Sequence, residues 1–153
     1  MLVAWRIVKR RHADRAFDGD GARRHGGRWN SPGRAVVYVS ESRALATLEV
    51  LAGLGSPELT QAFVLIGVEL DEGLVAHLPA TALPDGWRDH PPTPASQAVG
   101  DRWLDEGAWP VLRVPSALVP AEFNYLLNPA HADFRKIRVR GWEDLRFDPR
   151  WGR

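Results

Sequence analysis

From Ala35 to Val39 the chain is apolar at almost every position, and this short run constrains the fold more than any other feature. A half-exposed strand alternates apolar with polar residues, so a continuous run reads as a strand buried on both faces, inside a sheet with layers above and below. Tyr38 lies within it, and its hydroxyl requires a polar partner there. A glycine-rich basic turn precedes the strand: His25, Gly26, Gly27, Arg28, Trp29, Asn30, Ser31, Pro32 and Gly33. After it, Ser40 is placed to cap a helix and Glu41 to sit at its positive end. That helix is expected over about Glu41 to Ala52, stopped by Gly53 and Gly55. On a wheel of about 100° per residue, Ala44, Leu45, Leu48, Leu51 and Ala52 form an apolar stripe. Glu49 falls about 40° past Leu45, on the rim of the buried face.

Arg28, Tyr38 and Glu49 are thereby hung on a turn, a strand and a helix. A cation, an aromatic ring and a carboxylate on adjoining elements suit an anionic, aromatic, sugar-containing ligand. Two glycines before Arg28 let the backbone approach a ligand closely, and its guanidinium is suited to gripping a phosphate through two parallel hydrogen bonds. Each residue also has a structural reading. Arg28 then sits on a surface turn beside a carboxylate, Tyr38 in the core, and Glu49 against an arginine at the edge of the stripe. Ser116, following Pro115 at a strand end, is open to the same choice between a ligand contact and a local hydroxyl turn.

The remaining pattern is strand-rich. Leu2 to Val8 alternates, which puts Trp5 and Arg6 on opposite faces of a half-buried strand. Lys9 to Arg24 is charged and aperiodic, so a mobile loop is expected, anchored by Phe17. Further strands are expected over Gln61–Leu70, Pro110–Val114, Glu122–Leu127 and Ile137–Phe147, and a second helix over Thr93–Glu106 with Ala98, Arg102 and Trp103 near one face. Five prolines between Pro79 and Pro94 make that segment an irregular crossing. Together these elements describe a mixed α+β fold, strand-rich, filling residues 1–153 as a single domain with two helices. Trp5, Trp29, Trp103 and Trp142 are placed to give its core bulk.

Several classes of function are excluded at this stage. The chain has no cysteine, which removes disulfides, thiolate catalysis and cysteine-bound zinc. Its five histidines lack metal-ligand spacing, so no metal is expected. Twenty basic residues against nineteen acidic ones give a net charge of +1, too little for general capture of nucleic acid. No apolar run approaches the roughly 20 residues that span a bilayer, and the strand-then-basic start reverses the order of a signal peptide, so a cytoplasmic protein is expected. The glycine-rich turn is neither a Walker loop nor a GxGxxG fingerprint.

Taken together, these residues resemble the RES domain, the toxin half of a bacterial toxin–antitoxin pair. The likeness begins at Trp5 and Arg6 and is strongest over Gly27, Arg28, Trp29, Asn30 and Gly33. It runs through Val37, Tyr38, Ser40, Ala44, Glu49 and Leu51, and resumes at Gly100, Asp101 and Trp103. It ends over Val114, Pro115, Ser116, Pro120, Glu122, Asn124, Asn128, Pro129 and His131.

The resemblance implies a fold like that of ADP-ribosyltransferases of the diphtheria-toxin type, with NAD+ as substrate and no cofactor. It implies breakdown of NAD+ by water or phosphate or, as an alternative, transfer of ADP-ribose to a protein. By the same resemblance Glu49 stabilises the sugar cation, Arg28 holds the pyrophosphate and Tyr38 stacks on nicotinamide or its ribose. Ser116 and Asn124 contact the substrate, and Arg6 is a second candidate for the phosphates. The implied partner is an Xre-like DNA-binding antitoxin whose C-terminal part covers or enters the pocket. Nucleic acid is then reached only through that partner, and a homodimer within the toxin–antitoxin complex stays open. Two readings from other classes compete: a small nucleic-acid-binding or RNA-cleaving module, suggested by Arg23, Arg24, Arg28 and the tryptophans, and a nucleotide sensor without catalysis.

Overall fold

A computed structural model describes residues 1–152. Seven strands form one sheet: β1 (Leu2–Lys9), β2 (Val37–Ser40), β3 (Phe63–Leu70), β4 (Val75–His77), β5 (Val111–Pro115), β6 (Phe123–Leu127) and β7 (Arg138–Leu145). Their spatial order is β4-β5-β6-β2-β1-β3-β7, and all neighbours are antiparallel apart from the parallel pair β4 and β5. Three helices accompany them, α1 (Asp20–His25), α2 (Arg43–Gly53) and α3 (Pro94–Glu106).

β2 is the inner strand that its apolar run requires, with Val37 and Val39 essentially inaccessible. They pack with Ala4, Val68, Leu70, Val111 and Leu127 on one face of the sheet. Tyr38 points to the other, beside Trp29, Trp103, Leu112, Val114 and Leu126. A third cluster, Ile7, Ala46, Phe63, Leu65 and Phe147, lies under α2.

The ladders are unequal. β1 and β3 pair over their full length, from Leu2 with Leu70 to Lys9 with Phe63. β2 and β6 pair from Val37 with Leu127 to Ser40 with Asn124. Among the described residues β1 and β2 meet in a single registered pair, Trp5 with Ser40. The sheet is therefore two half-sheets that touch at Ser40 and part beyond it.

Several expectations are corrected. The segment Lys9–Arg24 is not a shapeless loop: it holds a helical turn over Arg10–Arg15 and then α1, whose Asp20 pairs with Arg23 at 2.6 Å and Arg24 at 2.7 Å. The cap of α2 is Ser42, which accepts from the Leu45 amide, and Ser40 remains in the strand. The buried arc of α2 is also rotated. Leu45 and Ala46 are buried while Leu48 is 47% exposed and Ala44 and Ala52 face outward. Glu49 falls between Leu45 and Ala46 on the wheel, inside the arc rather than on its rim. In α3 the inward residues are Ser96, Gly100 and Trp103, with Ala98 and Arg102 exposed. Trp142 is 47% exposed because β7 is an edge strand, bulged where its pairing slips between Ile66 and Val68. β4 was not foreseen. No helix among the described residues is long and apolar enough to cross a membrane.

Candidate functional site

Glu49 is turned inward by two donors from the neighbouring half-sheet. Its Oε1 accepts the Ser116 hydroxyl at 2.7 Å and the Asn124 side-chain amide at 2.9 Å. Ser116 stands just past β5 and Asn124 within β6, so the carboxylate of a helix is held by two adjacent strands. Ser116 is fully buried, and its oxygen also accepts from the amides of Leu118 and Val119, both at 3.1 Å. With its proton given to Glu49 and both lone pairs engaged, the hydroxyl is fully used. Among the described residues Glu49 Oε2 has no hydrogen-bond donor. A carboxylate anchored through one oxygen and open at the other presents a defined negative edge to a ligand.

Tyr38 stands two positions before Ser40, which places the two side chains on one face of β2, roughly 7 Å apart along the strand. Its hydroxyl donates to Asn30 Oδ1 at 2.5 Å and accepts from the Trp29 amide at 3.1 Å. Burial pushes this phenol well above its ordinary pKa, only partly offset by the Trp29 amide, so it stays neutral at working pH. Gly27 is required beneath it, because a Cβ there would lie 2.7 Å from the Tyr38 oxygen.

The turn bearing Arg28 is fixed from several sides. Asn30 is fully buried, and its amide nitrogen donates to the carbonyls of Ala22, Ser31 and Arg34. Helix α3 grips the same turn. Asp101 accepts from the Ser31 amide at 3.1 Å and the Ser31 hydroxyl at 2.6 Å, Gln97 donates to the Gly27 carbonyl, and Arg34 pairs with Asp105. Arg28 Nη1 donates to the carbonyls of Trp87 and Asp89, each at 2.8 Å, which ties the proline-rich crossing to the turn. Trp87 stacks on Trp29 at 6.0 Å, and Arg88 donates to the Ala117 carbonyl beside Ser116. The crossing thus straps the Arg28 wall to the Ser116 wall.

Arg6 projects where β1 and β2 part. Its Nε donates to the Ala16 carbonyl at 2.7 Å and its Nη1 to the Tyr38 carbonyl at 3.0 Å, leaving Nη2 without an acceptor among the described residues. Desolvation lowers its pKa to about 10, with the Asp18 charge acting in the opposite sense. It lines a cleft of about 400 Å³ shared with Arg15, Arg24 and His25 on one side and Val50 and Leu54 of α2 on the other.

The structure therefore gathers Glu49, Ser116 and Asn124 into one contact and places Tyr38 one step along the same strand face, while Arg28 is bonded to the Trp87 and Asp89 carbonyls and Arg6 to those of Ala16 and Tyr38, neither in direct contact with the carboxylate. Sequence reasoning missed Ser40 and Asn30 as parts of this site. Ser40 Oγ donates to Asn124 Oδ1 at 2.7 Å. Both stand among the positions that carry the RES likeness, and Ser40 directly follows the apolar strand, but neither signal shows what their side chains hold.

Comparison with known proteins bears on this geometry. The RES domain family matches residues 3–150. Toxin Res of Photorhabdus laumondii is 36% identical over 135 residues, covering 88% of this chain and 86% of that protein. The Prs ADP-ribosylating toxin of a Sphingobium species is 40% identical over 151 residues, covering 95% and 94%. Among solved structures, the toxin–antitoxin complex MbcT-MbcA of M. tuberculosis matches with a TM-score of 0.77 at 22% identity, over 95% of this chain and 84% of that one, a likeness of fold. The expected strand-rich α+β architecture is thus the observed one, shared with that toxin–antitoxin structure. Identity and coverage at the level of the first two relatives go beyond a shared fold, and the chain belongs to the RES domain family.

Proposed function

We propose that this protein is the toxin of a toxin–antitoxin pair and that it consumes NAD+ by breaking the bond between nicotinamide and ribose, with water or phosphate as acceptor. The observation that carries this reading is the Glu49 carboxylate, anchored through Oε1 by Ser116 and Asn124 with Oε2 open. When the C1′–N bond breaks, its electron pair passes to the nicotinamide nitrogen and positive charge develops on the ribose. A fixed carboxylate beside the ribose stabilises that charge more than it stabilises the uncharged sugar of the ground state. Attack on C1′ by water or phosphate, with loss of a proton when water attacks, completes the exchange.

Arg28 supplies its remaining guanidinium donors to the pyrophosphate, and Arg6 is the second candidate, through Nη2. The Tyr38 ring, held neutral, packs on nicotinamide or its ribose. Ser116 and Asn124 act by aiming Glu49, since the Ser116 hydroxyl has no donor or acceptor left over.

ADP-ribose transfer to a protein is the second reading, favoured by the ADP-ribosylating toxin at 40% identity over nearly the whole chain. The partner is an antitoxin, by analogy with the fold neighbour's complex. We take it to be Xre-like and to carry a carboxylate-bearing segment that occupies the anion site near Arg28. Incubating purified protein with NAD+, with and without phosphate and cell extract, and weighing the products by mass spectrometry tests the reaction and its acceptor. Free ADP-ribose, its 1-phosphate or a modified protein distinguishes the acceptors, and intact NAD+ in every mixture overturns the proposal.

A further inference from the structure

We infer that Ser40 is a positioning residue for Glu49, acting through the side-chain amide of Asn124. The inference rests on the reading of Glu49 as the carboxylate beside the reacting ribose. Ser40 is 4% exposed and belongs to two strand pairs at once, with Trp5 of β1 and with Asn124 of β6. It is the point where the two half-sheets meet, so the backbone leaves its hydroxyl little freedom. That hydroxyl donates to Asn124 Oδ1 at 2.7 Å, and the amide nitrogen at the other end of the same group donates to Glu49 Oε1 at 2.9 Å.

The donors run in one direction, from hydroxyl to amide carbonyl and from amide nitrogen to carboxylate. An ionised carboxylate only accepts, so the amide must face it with nitrogen. A donor on the carbonyl end holds the amide in that orientation and polarises its N–H toward Glu49. Without Ser40 Oγ, Asn124 Oδ1 is left without its partner beside a buried strand, and the amide is held at its nitrogen end alone. It then swings about that one bond, with a longer and less directed N–H···Oε1 contact. Ser116 is left as the one fully fixed donor to the carboxylate, and the open Oε2 edge loses part of its direction. Ser42 holds the helix cap, so Ser40 is not needed to start α2.

The test compares the whole protein with Ser40→Ala and Ser40→Thr, following nicotinamide release from NAD+ and, in 15N-labelled protein, the two Asn124 side-chain N–H resonances. Ser40→Ala is expected to lower kcat roughly tenfold, the scale of one hydrogen bond, with KM within about twofold. It should also shift the Asn124 pair toward free-amide positions, and Ser40→Thr should restore both. An Asn124 pair unchanged in Ser40→Ala overturns the inference. So does a rise in KM at constant kcat, which would put Ser40 against the substrate, and so does a kcat loss that tracks a fall in melting temperature and is not restored by threonine. Should the parent release no nicotinamide, the functional reading fails on its own, and the Asn124 resonances still decide whether Ser40 orients the amide.

Discussion

Replacing Tyr38 by phenylalanine deletes one oxygen and keeps the ring. In the folded protein that oxygen donates to Asn30 Oδ1 and accepts from the Trp29 amide. Asn30 is fully buried and Trp29 nearly so, which keeps water from replacing the lost partner. An orphaned buried donor or acceptor costs about 1–3 kcal/mol, so two of them with some relaxation amount to roughly 2–4 kcal/mol. For a chain of this length that lowers the melting temperature by about 5–12 °C. Thermal and urea melts measure it, and an unchanged m-value shows that the loss is one of stability. The chemistry should fare better. The phenol is held neutral by burial and the phenylalanine ring still stacks, so kcat measured well below the melt should stay within about threefold, with KM rising as the Arg28 turn loosens. An unchanged melting temperature together with a hundredfold fall in kcat would refute this reasoning and move the hydroxyl into the reaction.

Glu49→Gln should lower kcat by about a hundredfold or more while ADP-ribose affinity by calorimetry barely changes, because the charge matters chiefly in the transition state. Arg28→Ala should weaken NAD+ binding by roughly 1.5–3 kcal/mol and, with the Trp87 and Asp89 carbonyls released, speed amide exchange over residues 84–90. Gly100→Ala should abolish soluble folded protein, since a Cβ there would sit 1.7 Å from the Trp29 carbonyl oxygen. Gly141→Ala, with nothing within 4 Å, should fold as the parent does.

The sheet was legible where burial is written into a continuous run or a clean alternation. β2 declared itself through Val36, Val37 and Val39, and β1 through the alternation around Trp5. Glu49 was legible as an unusual carboxylate but not in its true place. A helical wheel counts apolar neighbours, whereas the groups that turn Glu49 inward are Ser116 and Asn124, which lie 67 and 75 positions away. Ser40 was misread for the same reason: a serine before a helix is a sound cap, and only the fold shows Ser42 in that role. Helix α1 is six residues long and rests on local ion pairs of Asp20, which leave no periodicity to find. β4, at three residues, exists because Val111, Leu112 and Arg113 offer it a parallel edge.

Among the described residues Trp5 with Ser40 is the one registered pair between β1 and β2, and Glu49 crosses that seam on one face of the sheet, while on the other the core of Ala4, Val68 and Leu70 meets Val37, Val39, Val111 and Leu127. The Glu49 helix rests on the β1–β3 half through Ala46 and Val50, while its carboxylate is held by β5 and β6 in the other. Backbone pairing is sparse at the seam, so amides there should exchange faster than those of the full β1–β3 ladder. A ligand lodged across the seam adds RT ln(1 + [L]/Kd) to every opening that expels it, about 2.7 kcal/mol at a hundred times Kd. A ligand bound there would then slow exchange at the seam toward the rate of the ladders on either side.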